Sequence, residues 1–292
     1  MNTQHGKLPQ PNGAAAPVNK KNFAEKTRCC KIVIQRFAVI SDLHSNLEAV
    51  TAVLEDIENQ DIKEIYCLGD VVGYGPNPNE VLKFSEKFMF SVIGNHDEAV
   101  LHAKTKGFNP VAAEAILWTR NEIFYPTVSE EMSARNRQYL QSMKKIVKKE
   151  TFLFAHGSAR SNMEYVMSHY DALHTFKYMA QNKIRVCFIG HTHWPGIFLE
   201  GNLRMIPYDE KGFHDIEKSK KMIVNVGSVG QPRDKNHKAC YLIVDGNRFY
   251  YRRVQYDVDK IIKKIYGING LNDYLGDRLR VKGSKHGLKI FH

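Results

Sequence analysis

The sequence predicts an α/β fold in which two β-sheets pack face to face and carry helices on their outer sides. Between residues 31 and 189, apolar runs of strand length alternate with segments of helical periodicity, as in a largely parallel sheet. After residue 196, short apolar runs are joined by turns that contain Gly, Asn and Asp, which is typical of hairpins. No apolar run approaches the roughly 20 residues that a membrane-spanning helix requires.

The first part of the chain supplies the parallel sheet. Ile32–Ile40 is rich in β-branched and apolar residues, which predicts a buried strand. Asn46 begins a predicted helix, because the apolar residues after it recur at helical spacing. Further alternating strands and helices are predicted at Glu64–Leu68, Pro78–Phe88, Met89–Ile93, Thr151–Ala155, Ala172–Ala180 and Ile184–Ile189.

Two hairpins are predicted in the last third of the chain. Ile197–Glu200 and Leu203–Ile206 flank one Gly-Asn turn, and Ala239–Val244 and Arg248–Val254 flank an Asp-Gly-Asn turn. We expect these hairpins to form an antiparallel second sheet that faces the first.

Positive charge is concentrated at the two ends of the chain. Residues 1–30 carry a net charge of +4 and residues 278–292 carry +5, out of a total of +11. We therefore expect residues 1–30 to be a disordered basic extension. We expect one domain over residues 31–257, with a helical, cap-like insertion at 98–145, and a C-terminal helix with a basic tail over 258–292.

The five cysteines indicate a reducing compartment, and we expect a cytoplasmic protein. Their number is odd and no two have CxxC spacing. Cys67 and Cys187 lie inside predicted strands, where a thiol is most often a small buried apolar group. The N-terminal residues also lack the apolar core of a secretory signal.

Polar motifs follow five of the predicted strands. They are Ser41–His44, Gly69–Asp70, Gly94–Asp97, Ala155–Gly157 and Gly190–His193. The carboxyl ends of parallel strands meet at one edge of a sheet, and ligands of open α/β sheets bind there. Packing alone does not explain so many polar groups at one edge, because each unpaired one costs several kcal/mol.

Seven residues in these motifs carry oxygen or imidazole nitrogen donors, namely Asp42, His44, Asp70, Asn95, His156, His191 and His193. The absence of thiolates favours Mn²⁺, with Fe, Zn or Ni as alternatives. The set is too large for one metal and suits two metals that share a carboxylate. It also leaves coordination positions open, which is typical of a catalytic site.

The motifs D-x-H, G-D, G-N-H-D, H and G-H-x-H occur in this order, and over residues 36–256 the chain resembles the calcineurin-like metallophosphoesterases. Gly73–Pro76 and Gly227–Asp234 resemble a bacterial subgroup of small members, often named after diadenosine tetraphosphatases or phosphodiesterases. The resemblance implies a four-layer α-β-β-α fold. It also implies hydrolysis of phosphoesters by a hydroxide that bridges two metals and attacks phosphorus.

The resemblance implies a role for each motif residue. One metal would bind Asp42, His44, Asp70 and His193. The other would bind Asn95, His156, His191 and the bridging Asp70. His96 would contact the phosphoryl group or protonate the leaving oxygen, and Asp97 would hydrogen-bond the His96 ring and hold its orientation.

The chain departs from the family pattern at two positions. Protein serine/threonine phosphatases and symmetrical diadenosine tetraphosphatases carry Arg where this chain has Tyr74 and Ile93. Tyr does not replace the charge of a bidentate Arg, which argues against both activities and favours a smaller or less charged substrate, such as a diester. Arg233 is either a compensating phosphate ligand or a surface residue, and Tyr74 either lines the mouth of the site or is a turn residue.

Two other functions stay open. A retromer subunit with this fold serves in protein assembly, but a scaffold predicts lost ligands, whereas this chain keeps all seven together with His96 and Asp97. A nuclease of the superfamily would use the basic ends to bind nucleic acid. We expect a small-molecule or nucleotide phosphoester as substrate, no membrane partner, and a monomer or homodimer.

Overall fold

The computed structural model describes residues 1–2, 36–125, 129–210, 212–216 and 219–280. The chain divides into units 1–33 and 34–292, and the fold described here belongs to the second. The predicted extension at 1–30, with Cys29 and Cys30, has only residues 1–2 in the described ranges. Residues 32–35 of the first predicted strand and residues 281–292 of the predicted tail lie outside them.

The described residues form twelve strands and eight α-helices. The strands are β1 (Arg36–Ile40), β2 (Glu64–Cys67), β3 (Phe90–Ser91), β4 (Ile146–Lys149), β5 (Phe152–Ala155), β6 (Val186–Ile189), β7 (Gly196–Leu199), β8 (Ile206–Pro207), β9 (His214–Asp215), β10 (Met222–Asn225), β11 (Ala239–Asp245) and β12 (Arg248–Val254). The helices are α1 (Leu47–Asn59), α2 (Pro78–Lys83), α3 (Asn95–His102), α4 (Pro110–Phe124), α5 (Glu130–Ser142), α6 (His169–Gln181), α7 (Val258–Tyr266) and α8 (Tyr274–Asp277).

The strands form two six-stranded sheets, with the orders β3-β2-β1-β11-β12-β9 and β4-β5-β6-β10-β7-β8. Strands β1, β2 and β3 are parallel, as are β5, β6 and β10. The expectation that the two hairpins form a separate antiparallel sheet is wrong. Hairpin β11–β12 extends the first sheet beside β1, and β7–β8 joins the second through β10, so both sheets are mixed.

An aromatic cluster fills the space between the two sheets. The Phe37 ring of β1 lies 5.0 Å from Tyr66 in its own sheet and 6.2 Å from Phe188 in the other. Tyr66 also lies 5.1 Å from Phe154 of the second sheet. Rings at these separations interdigitate as in sheet-on-sheet packing. The predicted two-sheet sandwich is confirmed.

Helices cover the outer faces of both sheets. The Asn46 side chain accepts a hydrogen bond from the Ala49 N–H (3.0 Å) and thereby caps α1, whose apolar face packs against the first sheet. Helix α6 buries Phe176 and Met179 against the second sheet. This is the four-layer α-β-β-α arrangement that the sequence predicts.

Some element boundaries differ from the prediction. The helix predicted over Pro78–Phe88 ends at Lys83 and continues as a 3-10 turn at Phe84–Lys87. Strands β4, β9 and β10 were not predicted. In the predicted insertion at 98–145, α4 and α5 pack against α2 and α3, and its role as a cap stays a prediction.

Two further observations concern the described residues. None of their helices has the length and apolar composition needed to cross a membrane. Cys67, Cys187 and Cys240 are buried free thiols.

An ion pair on the outer side of the first sheet ties α1 to hairpin β11–β12. Asp56 accepts hydrogen bonds from Arg252 Nη2 (2.6 Å), Arg252 Nε (3.0 Å) and the Tyr241 hydroxyl (2.6 Å). Burial alone would raise the pKa of Asp56, but the Arg252 and Tyr241 hydrogen bonds outweigh it and hold the pKa below its usual value. The ionised carboxylate therefore stabilises the fold.

We predict that Asp56→Asn lowers the free energy of unfolding by about 1–2 kcal/mol at pH 7, because it weakens a partly buried charge-assisted pair. A carboxyl whose pKa falls on folding stabilises above its unfolded pKa, so the difference from wild type shrinks as the pH falls below about 4. Urea unfolding at pH 7 and at pH 3.5 measures both effects. Asp61→Asn, which removes an exposed pair with Lys63, is the control and costs less. Equal losses in both variants would contradict the prediction.

Candidate metal centre

All seven predicted donors lie together at one edge of the sandwich. Asp42 and His44 follow β1, Asp70 follows β2, and Asn95 follows β3 in the first sheet. His156, His191 and His193 follow β5 and β6 of the second sheet. All seven are between 0% and 6% exposed. The site is therefore built from both sheets, at the ends of their parallel strands.

A first group of donor atoms comes from Asp42, His44 and His193, whose donor atoms all lie within 4.8 Å of one another. Asp42 Oδ1 lies 3.2 Å from His193 Nε2, and the Nε2 atoms of His44 and His193 are 3.1 Å apart. One carboxylate and two imidazoles thus point their donor atoms at the same place.

A second group comes from Asp70, His156 and His191, again within 4.8 Å of one another. His156 Nε2 lies 3.3 Å from Asp70 Oδ2 and 3.0 Å from Asn95 Oδ1. Asp70 Oδ2 is also only 3.6 Å from His44 Nε2. Asp70 therefore lies between the two groups.

Backbone carbonyls orient two of the histidine rings. His156 Nδ1 donates to the Leu68 carbonyl (2.7 Å), and His193 Nδ1 donates to the Gln231 carbonyl (2.6 Å). A carbonyl only accepts, so Nδ1 of each ring carries a proton and Nε2 is the ring nitrogen that faces the carboxylates. Histidines that bind metals are held in this way by a partner on the other ring nitrogen.

A turn at residues 227–231 holds the Asp42 loop. The Ser228 hydroxyl and the Gly230 N–H both donate to the Asp42 carbonyl (2.9 and 2.8 Å), and Asp42 Oδ2 accepts from the His191 N–H (3.0 Å). Gly230 is required here, because a Cβ would lie 1.9 Å from the Leu43 carbonyl oxygen. This turn links the loops after β1 and β6.

The backbone is strained at most of the donors. Five of the seven have positive φ values between 47° and 66°, namely Asp42, His44, Asp70, His191 and His193. A non-glycine residue in the left-handed region costs on the order of 1–3 kcal/mol, and such residues cluster at functional sites. The surrounding packing must offset this strain to hold the donors in place.

The chemistry of the donors fits divalent cations. His44 Nδ1 and His191 Nε2 are buried and have no hydrogen-bond partner in the described residues. Burial alone would lower the pKa of His156, but Asp70 and Asp42 raise it to about 9. A cluster that makes a buried imidazole bind a proton this strongly also attracts metal cations.

His96 lies beside the donors, but Asp97 does not orient it. The Asp97 carboxylate accepts from the Val72 N–H (3.1 Å) and the Gly94 N–H (3.0 Å), whereas His96 Nδ1 is buried without a partner. The expectation that Asp97 hydrogen-bonds the His96 ring is therefore wrong. Consecutive residues of a helix point in different directions, and Asp97 instead binds the backbone at the start of α3.

Packing orients the His96 ring instead. The ring lies 4.3 Å from Tyr74, 4.9 Å from His44 and 5.1 Å from Phe108. The His96 N–H donates to Asp70 Oδ1 (2.8 Å). His96 is thus tied by its backbone to the residue between the two donor groups.

The structure brings Tyr74 and Arg233 to the same site. Tyr74 is buried and its ring also lies 4.6 Å from His44. The Arg233 N–H donates to the His193 carbonyl (3.4 Å), and Arg233 Nη2 donates to Gln231 Oε1 (3.1 Å). Its Nε is buried and has no partner among the described residues. Arg233 therefore keeps an unused donor next to the centre.

Sequence reasoning missed Tyr165 and Phe108. The Tyr165 ring lies 4.0 Å from His191 and is 50% exposed, so it forms part of the rim of the site. Neither residue belongs to a motif or follows a strand. No signal in the sequence separates them from other aromatic loop residues.

Comparison with known proteins identifies similar sequences and structures. Residues 36–248 match the family model of the calcineurin-like phosphoesterase superfamily domain. An uncharacterized protein of Methanocaldococcus jannaschii is 39% identical over 259 residues, which is 85% of this chain and 98% of that protein. The crystal structure of a metallophosphoesterase from Sphaerobacter thermophilus is 33% identical, with a TM-score of 0.71, over 84% of this chain and 98% of that one.

A more distant solved structure agrees in fold. The hypothetical protein PH1004 of Pyrococcus horikoshii is 18% identical and has a TM-score of 0.59. The match covers 84% of this chain and 97% of that one.

Gly94 allows the loops after β2 and β3 to approach each other. A Cβ at this position would lie 2.0 Å from Asp70 Oδ1 and 2.2 Å from the Asp70 backbone nitrogen. We predict that added Mn²⁺ raises the melting temperature of the wild type. Gly94→Ala is expected to displace Asp70, to lower the free energy of unfolding by about 1–3 kcal/mol and to reduce that rise.

Thermal unfolding with and without Mn²⁺ measures both effects. The control is Gly267→Ala, just after α7, where the nearest atom to a Cβ is the Lys263 carbonyl oxygen, 3.4 Å away. A full response of Gly94→Ala to Mn²⁺ would show that the position of Asp70 is not needed for binding.

Proposed function

The chain belongs to the calcineurin-like phosphoesterase superfamily, and we propose that it is a dinuclear metal-dependent hydrolase of small phosphoesters, acting as a phosphatase or phosphodiesterase. The observation that carries this proposal is the position of Asp70 between two groups of buried donors. One carboxylate in that position suits two metals that share a ligand.

The proposed ligands divide between two metals. Asp42, His44, Asp70 and His193 would hold the first, and Asp70, Asn95, His156 and His191 the second. Mn²⁺ is the favoured ion, with Fe, Zn or Ni as alternatives, because the donors are carboxylates, an amide and imidazoles. When bound, such a pair polarises the phosphoryl oxygens and makes water acidic enough to act as the nucleophile near neutral pH.

His96 is proposed to contact the phosphoryl group and to donate a hydrogen bond to the leaving oxygen. Burial lowers the pKa of His96 to about 4, so the ring is neutral at pH 7 and keeps one N–H. Packing against Tyr74 and Phe108 restricts rotation of the ring. A preorganised N–H next to the donors can hydrogen-bond the leaving oxygen as negative charge develops on it.

Arg233, Asn95 and Tyr74 are proposed to position the substrate. The unpartnered Arg233 Nε can donate to a phosphoryl oxygen without breaking an existing contact. Asn95 faces the second donor group through Oδ1, and Tyr74 packs over the first. Asp97 holds the loops together through Val72 and Gly94 rather than acting on the substrate.

The two alternatives are less well supported. A scaffold needs neither the strained backbone at five donors nor the unpartnered buried atoms, both of which cost stability. A nuclease would depend on the basic ends alone, because residues 31–277 carry a net charge of only +2. We therefore propose a small-molecule or nucleotide substrate. The free thiols of Cys67, Cys187 and Cys240 support the further proposal of a cytoplasmic location.

We predict turnover of 4-nitrophenyl phosphate or bis(4-nitrophenyl) phosphate that is lost after chelation and restored by Mn²⁺. His96→Ala lowers kcat by about 100-fold or more, the usual contribution of a positioned hydrogen-bond donor to developing negative charge, and still binds metal. Asp70→Asn loses both turnover and metal, because it removes the shared carboxylate. The ratio of the two substrates distinguishes a phosphatase from a phosphodiesterase.

Metal content per chain and steady-state kinetics are the measurements. His174→Ala, an exposed position on α6, is the control and keeps wild-type values. Two bound metals without turnover of either ester would favour the scaffold. Full activity of His96→Ala would remove that residue from the mechanism.

A further inference from the structure

Two tyrosines lie at the mouth of the metal centre, each over a different group of donors. Tyr74 packs over His44 of the first group, and the half-exposed Tyr165 packs over His191 of the second. A substrate that reaches the donors therefore passes these two rings.

The C-terminal segment of the described chain packs against this mouth. Leu275 of α8 and Leu279 line a small cavity together with His44, Tyr74 and Gln231. Its volume is about 10 Å³, about the space of one water molecule. The segment is therefore closely packed beside the loops that carry the donors, although it lies more than 80 residues beyond His193 in the sequence.

Arg278 lies between these two leucines in the chain. Its guanidinium lies over the Tyr274 ring, 5.8 Å from the ring centroid, and makes no hydrogen bond or ion pair with any residue in the described ranges. The residue is half-buried. Burial lowers the pKa of Arg278, and the nearby Arg233 guanidinium lowers it further. Leu275 and Leu279, on either side of Arg278, line one cavity with Tyr74 and Gln231, and the Gln231 side chain accepts a hydrogen bond from Arg233 Nη2. This packing brings the segment that carries Arg278 beside Tyr74 and Arg233.

Two guanidinium groups thus share the mouth, and no carboxylate pairs with either of them among the described residues. Like charges held near each other in a partly buried place repel, and an anion relieves the repulsion. Guanidinium groups bind phosphate in particular, because their planar forks match its oxygens. An anion bound between the two guanidinium groups would offset their repulsion, so the arrangement favours an anionic ligand.

We propose that Arg233 and Arg278 form an accessory anion site, which binds a second phosphoryl group of the substrate beside the one that is hydrolysed. The inference rests on the proposed function and narrows its substrate class to phosphoesters with an additional phosphate, such as phosphorylated nucleotides. It also revises the expectation of a less charged substrate. The positive charge absent at Tyr74 and Ile93 is supplied from the C-terminal segment.

Binding of nucleotide phosphates to the Mn²⁺-loaded protein tests this site without relying on turnover. Isothermal titration compares thymidine 3′,5′-bisphosphate with thymidine 5′-monophosphate, which differ by one phosphate. Wild type should bind the bisphosphate at least about tenfold more tightly, the factor expected for one hydrogen bond to a charged group. Arg278→Gln should bring the ratio close to one, and Arg278→Lys should restore part of the preference.

Arg280→Gln is the matched control, since it removes the same charge two residues away. Arg280 is exposed and lies 3.9 Å from Asp259 on α7. This variant should keep the wild-type ratio. Arg233→Gln is a second variant with the same expected loss as Arg278→Gln, in case the latter is unstable.

An unchanged ratio in both Arg278→Gln and Arg233→Gln would overturn the accessory site, as would equal binding of the two ligands by wild type. Turnover of bis(4-nitrophenyl) phosphate, which carries no second phosphate, reports on the proposed function separately. Turnover without a preference for the bisphosphate refutes only the accessory site. An Arg278-dependent preference without turnover refutes only the hydrolase.

Discussion

The burial of two carboxylates, Asp42 and Asp70, is the constraint on which the rest of the structure depends. A buried charge is costly unless it is paired and hydrogen-bonded. Burial alone would raise the pKa of each carboxyl, but the His193 and His156 imidazoles outweigh this and keep both carboxyls ionised. Backbone N–H groups of His96 and His191 complete their surroundings. This local negative charge makes the site suited to cations.

The sandwich serves to keep the two carboxylates and their imidazoles in register. The carboxylates follow strands of the first sheet, whereas His156, His191 and His193 follow strands of the second. A sliding of one sheet over the other would separate them. The aromatic packing of Phe37 and Tyr66 against the second sheet resists such sliding, because interdigitated rings do not slip without losing contacts.

The donor residues, which form the floor of the site, and the residues of its rim come from different kinds of segment. The floor is made by short loops directly after strands, and their geometry follows from the sheets. Tyr74 and Tyr165 pack over the donors, and the proposed rim adds Arg233 and Arg278 to them from two further segments. In the proposed enzyme, the floor determines the reaction and the rim selects among phosphoesters. Changes in the C-terminal segment can therefore alter specificity without disturbing the metal ligands.

The sequence by itself determined the fold class and the seven clustered donors, because both depend on local patterns. Strand ends are local, and the parallel arrangement brings them to one edge. Tertiary structure alone decided the sheet to which each hairpin belongs, the partners of Asp97 and the packing of the C-terminal segment beside Tyr74 and Gln231. The sheet of each hairpin depends on pairing between distant strands. The partners of Asp97 depend on the direction of one helical side chain. The position of the C-terminal segment depends on the packing of residues that belong to no motif. Such long-range contacts leave no periodic signal in the sequence.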